Sequence, residues 1–348
     1  MPKHLNQTAG FCSNFTDVQW YCYVLFGLYV VALPLGILGN IATLVNFTCL
    51  RKARTTSSIL LLNLALCDLA WILTLPFTIY FNIQKLSLRD VQTFCKAKNI
   101  SFNINIYGSI IFLTFVSFDR YAGTVHPIRS LKWWDAGKAK LCCICTWVLL
   151  FISCLPDIFF TFVAKRSGDV TLCLDHAKTP SVYVRTSFIT RTLVGFLLPF
   201  VVMLTFYTMT IKVLRNLPKS RAVGQRSGKP LLLLSAAIVV FVVSFVPYHV
   251  MVVTLVLMRA KKDVEAGNVL VLYVCYEFCE AACSLSSCLD PLLYILASER
   301  FLKGWLTPAR RRCVRGCCRR TRRVGVEARA SGPGLNARAD LVLVPMTG

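Results

Sequence analysis

Charge is what this sequence has little of. Asp, Glu, Lys and Arg together make up 16% of its 348 residues, against 56% hydrophobic residues and a mean hydropathy of +0.61. Soluble domains carry about a quarter charged residues, so water is excluded as the main solvent. Acid is the scarcer sign, 16 residues against 39 basic ones, which leaves a net charge of +23. The cytoplasmic loops and tail defined below hold most of that excess. Contact with anionic inner-leaflet lipid accounts for it, and no nucleic-acid partner is expected. The opening MPKHLNQTAG lacks the apolar h-region of a cleaved signal peptide, so the first span is expected to act as its own insertion signal. No internal repeat runs through the apolar segments, which argues against a repeat-built transporter. The connectors are short and leave no room for a soluble catalytic domain; no enzyme activity and no cofactor is expected, a small cation aside.

What is present is a series of long apolar runs. A bilayer core about 30 Å thick needs roughly 20 apolar residues per helix. Seven stretches qualify: Val24 to Leu50, Ser57 to Phe81, Ile100 to Tyr121, Leu141 to Val163, Ser187 to Leu214, Leu231 to Met258 and Val269 to Ala297. The fold class is therefore an all-α membrane protein, a seven-helix bundle over residues 23–297. Arg51, Lys52, Arg54, Arg129, Lys132, Lys138, Lys212 and Arg215 fall on one side of these spans, and the positive-inside rule makes that side cytoplasmic. Residues 1–22 then form an extracellular tail and residues 308–348 a cytoplasmic one. The sequons at Asn6 and Asn14 lie in the outer tail and are candidate glycosylation sites, although short sequons also arise by chance.

Most of the 17 cysteines lie inside apolar spans, where Cys behaves as a small hydrophobe. Cys95, before the third span, and Cys173, between the fourth and fifth, both face the oxidising side, so a disulfide tying that loop to the third helix is the natural pairing. Cys12 and Cys22 are also outside or nearly so, with partners unassigned.

Ionisable groups at membrane depth cost several kcal/mol unless paired or hydrated, so each is a functional candidate. Asp68 lies midway along the second span, with Asn40, Ser109, Ser286, Ser287 and Asp290 as possible companions in other spans. A hydrated cluster holding a small cation would satisfy both carboxylates; a purely structural hydrogen-bond network is the alternative. Asp119-Arg120-Tyr121 closes the third span at the cytoplasmic boundary. An adjacent Asp and Arg neutralise one another until a partner offers the Arg something better, which makes a two-state lock. Pro199, Pro247 and Pro291 fall inside three consecutive spans, each removing a backbone hydrogen bond. A hinge in each suggests a bundle that moves at its inner face.

Gly39-Asn40, Leu64-Ala65-Leu66-Cys67-Asp68, Asp119-Arg120-Tyr121, Trp147, Phe245-Val246-Pro247 and Asp290-Pro291-Leu292-Leu293-Tyr294 stand in order at spacings that resemble the rhodopsin-like G-protein-coupled receptors, from about Leu35 to Phe301. The resemblance implies a plasma-membrane receptor that binds an extracellular ligand and activates a heterotrimeric G protein. It implies that Arg120 and Tyr121 engage or gate the G protein with Pro127 and Ile128 in the adjoining loop. Tyr207 and Tyr294 would swing inward on activation, Phe245 would be the toggle beneath the ligand with Phe241 a turn below, and Asp68, Ser109 and Asp290 would form a sodium site. Two departures, Ser244-Phe245 for the usual Cys-Trp and Asp290 for Asn, resemble the branch of nucleotide, succinate, oxoglutarate, lysolipid and protease-activated receptors. Ile111 to Tyr121 and Pro247 to Met251 look closest to its succinate and nucleotide members.

Receptors of the succinate type capture anions with basic groups, yet here the three corresponding positions hold Asn99, Val252 and Glu280. The outer halves instead offer Asn103, Tyr107, Tyr248, His249, Tyr276, Tyr80, Asp157 and Arg191 as candidate ligand residues, with Glu280 beside them. Arg191 lies about two turns outward of Pro199, where it could bind a carboxylate or phosphate bidentately. It could equally pair with Asp157 or Glu280 and hold helices together. The ligand expected on this likeness is a small anionic metabolite, nucleotide or lipid, with a peptide or protease-activated receptor of the same branch as alternative. Phe102 replaces the counter-ion Asp of amine receptors, and the seventh span has no Lys for a retinal Schiff base.

Beyond Tyr294, residues 298–307 alternate Phe301, Leu302, Trp305 and Leu306 with Arg300 and Lys303, the pattern of an amphipathic helix on the inner leaflet. Cys313, Cys317 and Cys318 among arginines are candidate palmitoylation sites, since lipidation beside a polybasic patch supplies two membrane signals. From Val324 onward, Ser331 and Thr347 are the chief hydroxyl residues. Phosphorylation-dependent arrestin recruitment is accordingly predicted to be weak; a robust signal that disappears with receptor-kinase inhibition would contradict this.

Overall fold

The computed structural model describes residues 19–50, 55–83, 88–160, 164–165, 171–172, 181–215, 228–261 and 266–297. The tails, with Asn6, Asn14, Cys313, Cys317, Cys318 and the expected surface helix, lie outside these residues, as does Cys173.

Helix α1 (Gln19–Val45) runs into a π-helical turn, Asn46–Leu50. Then follow α2 (Thr56–Ile72), α3 (Leu75–Ile83), α4 (Leu88–Val125), α5 (Pro127–Trp133) and α6 (Ala136–Phe160). A two-residue hairpin pairs β1 (Ala164–Lys165) with β2 (Thr171–Leu172) antiparallel. Helix α7 (Ser181–Thr190) continues through a π-helical stretch, Arg191–Leu197, into α8 (Leu198–Arg215), and α9 (Gly228–Lys261) and α10 (Ala266–Ala297) complete the bundle. Six helical segments among the described residues are long and apolar enough to cross a membrane. The seventh, α10, carries Glu277, Glu280 and Asp290 and packs along α1, α2 and α9.

The expected spans are present, with two corrections. The third was expected to begin at Ile100, but its helix starts at Leu88 and is 38 residues long. The second was expected to be one helix, yet it breaks at Leu73–Thr74. Pro76 is the cause, because it cannot donate to the carbonyl of Ile72. Thr74 closes the gap by turning its N–H (2.8 Å) and its hydroxyl (2.7 Å) onto the Trp71 carbonyl. Near Pro199, the π-helical stretch Arg191–Leu197 marks the expected irregularity, whereas Pro247 and Pro291 sit inside continuous helices.

Helix α4 lies at the centre, touching α2, α6, α8 and α9. Its inward side chains Phe102, Ile106, Ile110, Phe112 and Leu113 are essentially inaccessible, while Leu141, Ile144, Leu149 and Phe151 of α6 face outward, where lipid replaces water. Close approach depends on small residues rather than on a hydrophobic drive that lipid does not supply. At Gly108, an added Cβ would stand 2.5 Å from Cys67 Sγ of α2 and 3.3 Å from Leu150 of α6. Gly108→Val is therefore predicted to destabilise the bundle by about 1 to 3 kcal/mol, seen as a lower melting temperature and reduced surface expression; wild-type values for both would refute this packing account.

Candidate functional site

Polar side chains are buried at three levels of the bundle. In the middle, Asp68 of α2 and Asp290 of α10 are wholly buried. Asn105 of α4 organises them, its amide donating to Asp68 Oδ1 (3.1 Å) and Ser287 Oγ (3.1 Å). Ser109 Oγ reaches the same Asp68 oxygen at 3.4 Å, and Asn40 of α1 donates to the Ser287 carbonyl at 2.9 Å. Ser286 turns instead to the carbonyl of Cys283. Among the described residues no donor reaches Asp68 Oδ2, either oxygen of Asp290 or Asn105 Oδ1. Buried unpartnered carboxylate oxygens are costly, and the adjoining Asp68 and Asp290 carboxylates are a hard-oxygen pair of the kind a small cation takes. Sequence reasoning missed Asn105, whose signal was its spacing of one turn from Ser109 on the Asp68-facing side of α4.

At the outer level, Arg191 pairs with Asp157 of α6 at 2.6 Å and donates to the Ser153 carbonyl at 2.9 Å, both through Nη2. The partner is thus Asp157 and not Glu280. Asn103 donates to the same Asp157 oxygen at 2.9 Å. The guanidinium carbon lies 6.0 Å from the centre of the Tyr107 ring, at cation–π distance. Glu280 is engaged elsewhere, by Lys98 of α4 at 3.0 Å, with Glu277 at 3.5 Å from the same ammonium. Lys98 was overlooked because the basic group was sought one position later, at Asn99. Its longer reach brings it to α10, where an anion-binding relative would carry a base and this chain carries an acid.

An aromatic column links this level to the interior. His249 stacks on Phe196 with centroids 4.0 Å apart; Phe196 stacks on Phe241 (5.5 Å), which meets Phe200 (5.1 Å) and the edge of Phe245 (5.4 Å). His249 Nδ1 donates to the Phe245 carbonyl at 2.8 Å, which leaves Nε2 as the acceptor. Alongside, Trp71, Phe102, Tyr248 and Tyr276 form a chain of tilted rings 5.0 to 5.8 Å apart. The candidates Tyr107, Tyr248, His249 and Tyr276 are thereby brought together, and Tyr80 is half exposed. Phe196 and Phe200 were not foreseen; their spacing of four residues beside Pro199 was the available sign.

At the inner level, Asp119 and Arg120 pair at 3.1 Å. Thr56 and Ser57 at the start of α2 each donate to Asp119 at 2.5 Å, Trp134 Nε1 donates to it at 2.9 Å, and Arg120 Nη2 also meets Ser57 Oγ. Tyr121 stacks on Phe206 at 5.0 Å. Pro127 opens α5 as its first residue, and Ile128 and Leu131 are 77% and 80% exposed, an apolar surface offered at the inner face. Tyr207 is half buried, and the side chain of Tyr294 lies outside the described residues. Cys95 is buried and disulfide-bonded.

A helical bundle with a polar middle, an ion-paired outer level and an Asp–Arg pair at its inner face is the arrangement of a membrane receptor. Residues 39–294 match the family described as 7 transmembrane receptor (rhodopsin family), and the chain belongs to that family. It is 30% identical over 305 residues to P2Y purinoceptor 1 of Mus musculus and to that of Homo sapiens, covering 84% of this chain and 80% of each relative. It is 29% identical over 293 residues to lysophosphatidic acid receptor 6 of Gallus gallus, covering 82% of this chain and 94% of that protein. The chain is a multi-pass G-protein-coupled receptor of the nucleotide and lysolipid branch, and it is not an enzyme.

Proposed function

We propose that this receptor detects a small extracellular ligand through an anionic group docked on Arg191, and that ligand binding frees Arg120 at the inner face to engage a heterotrimeric G protein. The observation that carries the ligand reading is the use of Arg191: among the described residues both of its hydrogen bonds run through one terminal nitrogen, which leaves its other donors for a carboxylate or phosphate. Asp157 holds the guanidinium in place without saturating it. Tyr107, Tyr248, Tyr276 and His249 supply the aromatic walls for the rest of the ligand. Lys98 does not serve as a second anion site, because two carboxylates already surround its single charge. The relatives named for purines and for lysophosphatidic acid support this ligand class, since phosphate-bearing molecules are available to both. The aromatic column through His249, Phe196 and Phe241 to Phe245 is the route by which a shift at the outer chamber reaches the inner half.

The topology proposed with this reading places the N-terminal tail outside, with glycans at Asn6 and Asn14 and the Cys95 disulfide closed by Cys173. Cys313, Cys317 and Cys318 are then acylated at the inner leaflet.

Two substitutions separate ligand capture from helix bracing. Among purine nucleotides, lysophosphatidic acid and succinate, the agonist that activates the wild type should lose at least tenfold in potency on Arg191→Ala, because a charge-assisted pair contributes about 1.5 to 3 kcal/mol. Asp157→Asn should retain or raise that potency, since the competing carboxylate is gone. If both variants lose response equally at matched surface expression, Arg191 is a brace. Sodium is proposed as the cation held by Asp68, Ser109 and Asp290. Purified receptor should melt several degrees higher in sodium chloride than in choline chloride at equal ionic strength, and Asp290→Asn should abolish that difference; identical wild-type melting in the two salts excludes the site.

A further inference from the structure

We infer that Trp134 is a positioning residue for G-protein activation, which loosens the hold of Asp119 on Arg120 by sharing the carboxylate. This rests on Arg120 being the group that the G protein engages.

Trp134 caps the C-terminus of α5 and forms, with Asp135, the joint to α6. That joint is firmly built. The Trp134 N–H donates to the Ser130 carbonyl at 2.8 Å, Asp135 Oδ1 accepts the Lys138 N–H at 2.8 Å as a cap for α6, and Lys138 Nζ donates to the Trp133 carbonyl at 2.8 Å. The indole ring packs edge-on against Phe118, 4.9 Å between centroids at 83°, and Phe118 in turn packs on Phe206 of α8 at 5.5 Å. The Nε1–H is thereby aimed at Asp119 Oδ1 rather than left to find it.

The distribution of donors around the ion pair is uneven. Asp119 accepts from three neutral groups, Thr56, Ser57 and Trp134, in addition to Arg120. Among the described residues Arg120 has only Asp119 and the shared Ser57 oxygen, and its buried Nε meets no acceptor there. A carboxylate that already receives three neutral donors loses less when its cation departs, because the remaining hydrogen bonds keep its charge satisfied in a low-dielectric place. The pair is biased toward release from the Arg side. Removing one neutral donor should tighten it and keep Arg120 at home.

The position also couples two surfaces. Ile128 and Leu131 on α5 form the exposed apolar face, and the same short helix ends in the side chain that sets how tightly Arg120 is held. A partner seated on that face acts on the ion pair through Trp134.

Trp134→Phe keeps the ring and its packing on Phe118 and removes only the N–H donor. In native membranes containing the full-length receptor and added heterotrimeric G protein, agonist-free guanine-nucleotide exchange should fall roughly three- to tenfold, the span expected for one hydrogen bond to a charged group partly offset by a tighter ion pair. In an Asp119→Asn background, where the charge pull on Arg120 is absent, the same substitution should change exchange by less than about twofold. Unchanged or raised exchange in Trp134→Phe overturns the inference, and so does an equal loss in the Asp119→Asn background, which would mark a merely structural ring. Arg120→Gln serves as the separate control: if it exchanges as the wild type does, the coupling reading fails and this inference fails with it, whatever Trp134→Phe shows.

Discussion

A carboxylate inside a bilayer has no water to turn to, and the architecture of this receptor follows from how each buried acid finds its partner. Asp68, Asp157, Glu280 and Asp290 all lie below 4% exposure, and Asp119 at 8%. Each is met by a side chain from a different helix: Asn105 for Asp68, Arg191 for Asp157, Lys98 for Glu280, and Trp134 with Thr56 for Asp119. These contacts fix the register of helices that share no hydrophobic reason to prefer one alignment, because lipid solvates their apolar faces as well as a neighbour would. Asp290 is the exception: neither of its oxygens has a hydrogen-bond donor among the described residues, and the proposed cation would meet that need.

The same constraint explains why the bundle can switch. A buried ion pair in a dry interior is held strongly and yet contributes little net stability, since desolvation offsets most of the attraction. Exchanging one partner for another therefore costs less than the strength of either bond suggests. The outer Arg191–Asp157 pair and the inner Arg120–Asp119 pair are two such pairs, and the column His249, Phe196, Phe241 and Phe245 runs inward beside the outer one. Helix α4 contributes to all three levels through Asn103, Asn105 and Asp119, which is why its polar residues are so closely enclosed.

The seven spans, the Asp68–Asp290 neighbourhood and the inner Asp–Arg pair were legible from sequence because hydropathy and a few fixed motifs report on depth in the membrane. Facing was less legible. Lys98 reaches Glu280 across 182 positions of sequence, and its neighbour Asn99 looked like the more informative residue until helix rotation was known. Arg191 had two acidic candidates as partners, and its reach to Asp157 and the Ser153 carbonyl of α6 selects Asp157. The break at Leu73–Thr74 depended on Thr74 supplying the substitute hydrogen bonds, which no periodicity records. Trp134 was invisible for a similar reason: an aromatic at a loop–helix joint carries no signal of the carboxylate it will meet.

On the proposed reading, ligand capture outside the membrane releases Arg120 inside it without any chemistry on the ligand. Purified receptor reconstituted in phospholipid vesicles with a heterotrimeric G protein, and titrated with anionic metabolites, nucleotides and lysolipids, tests this directly. At least one of these compounds should accelerate nucleotide exchange on the G protein while being recovered unaltered and remaining outside the vesicles. Exchange that no compound accelerates, or a compound that is consumed or carried into the vesicle lumen, would contradict it.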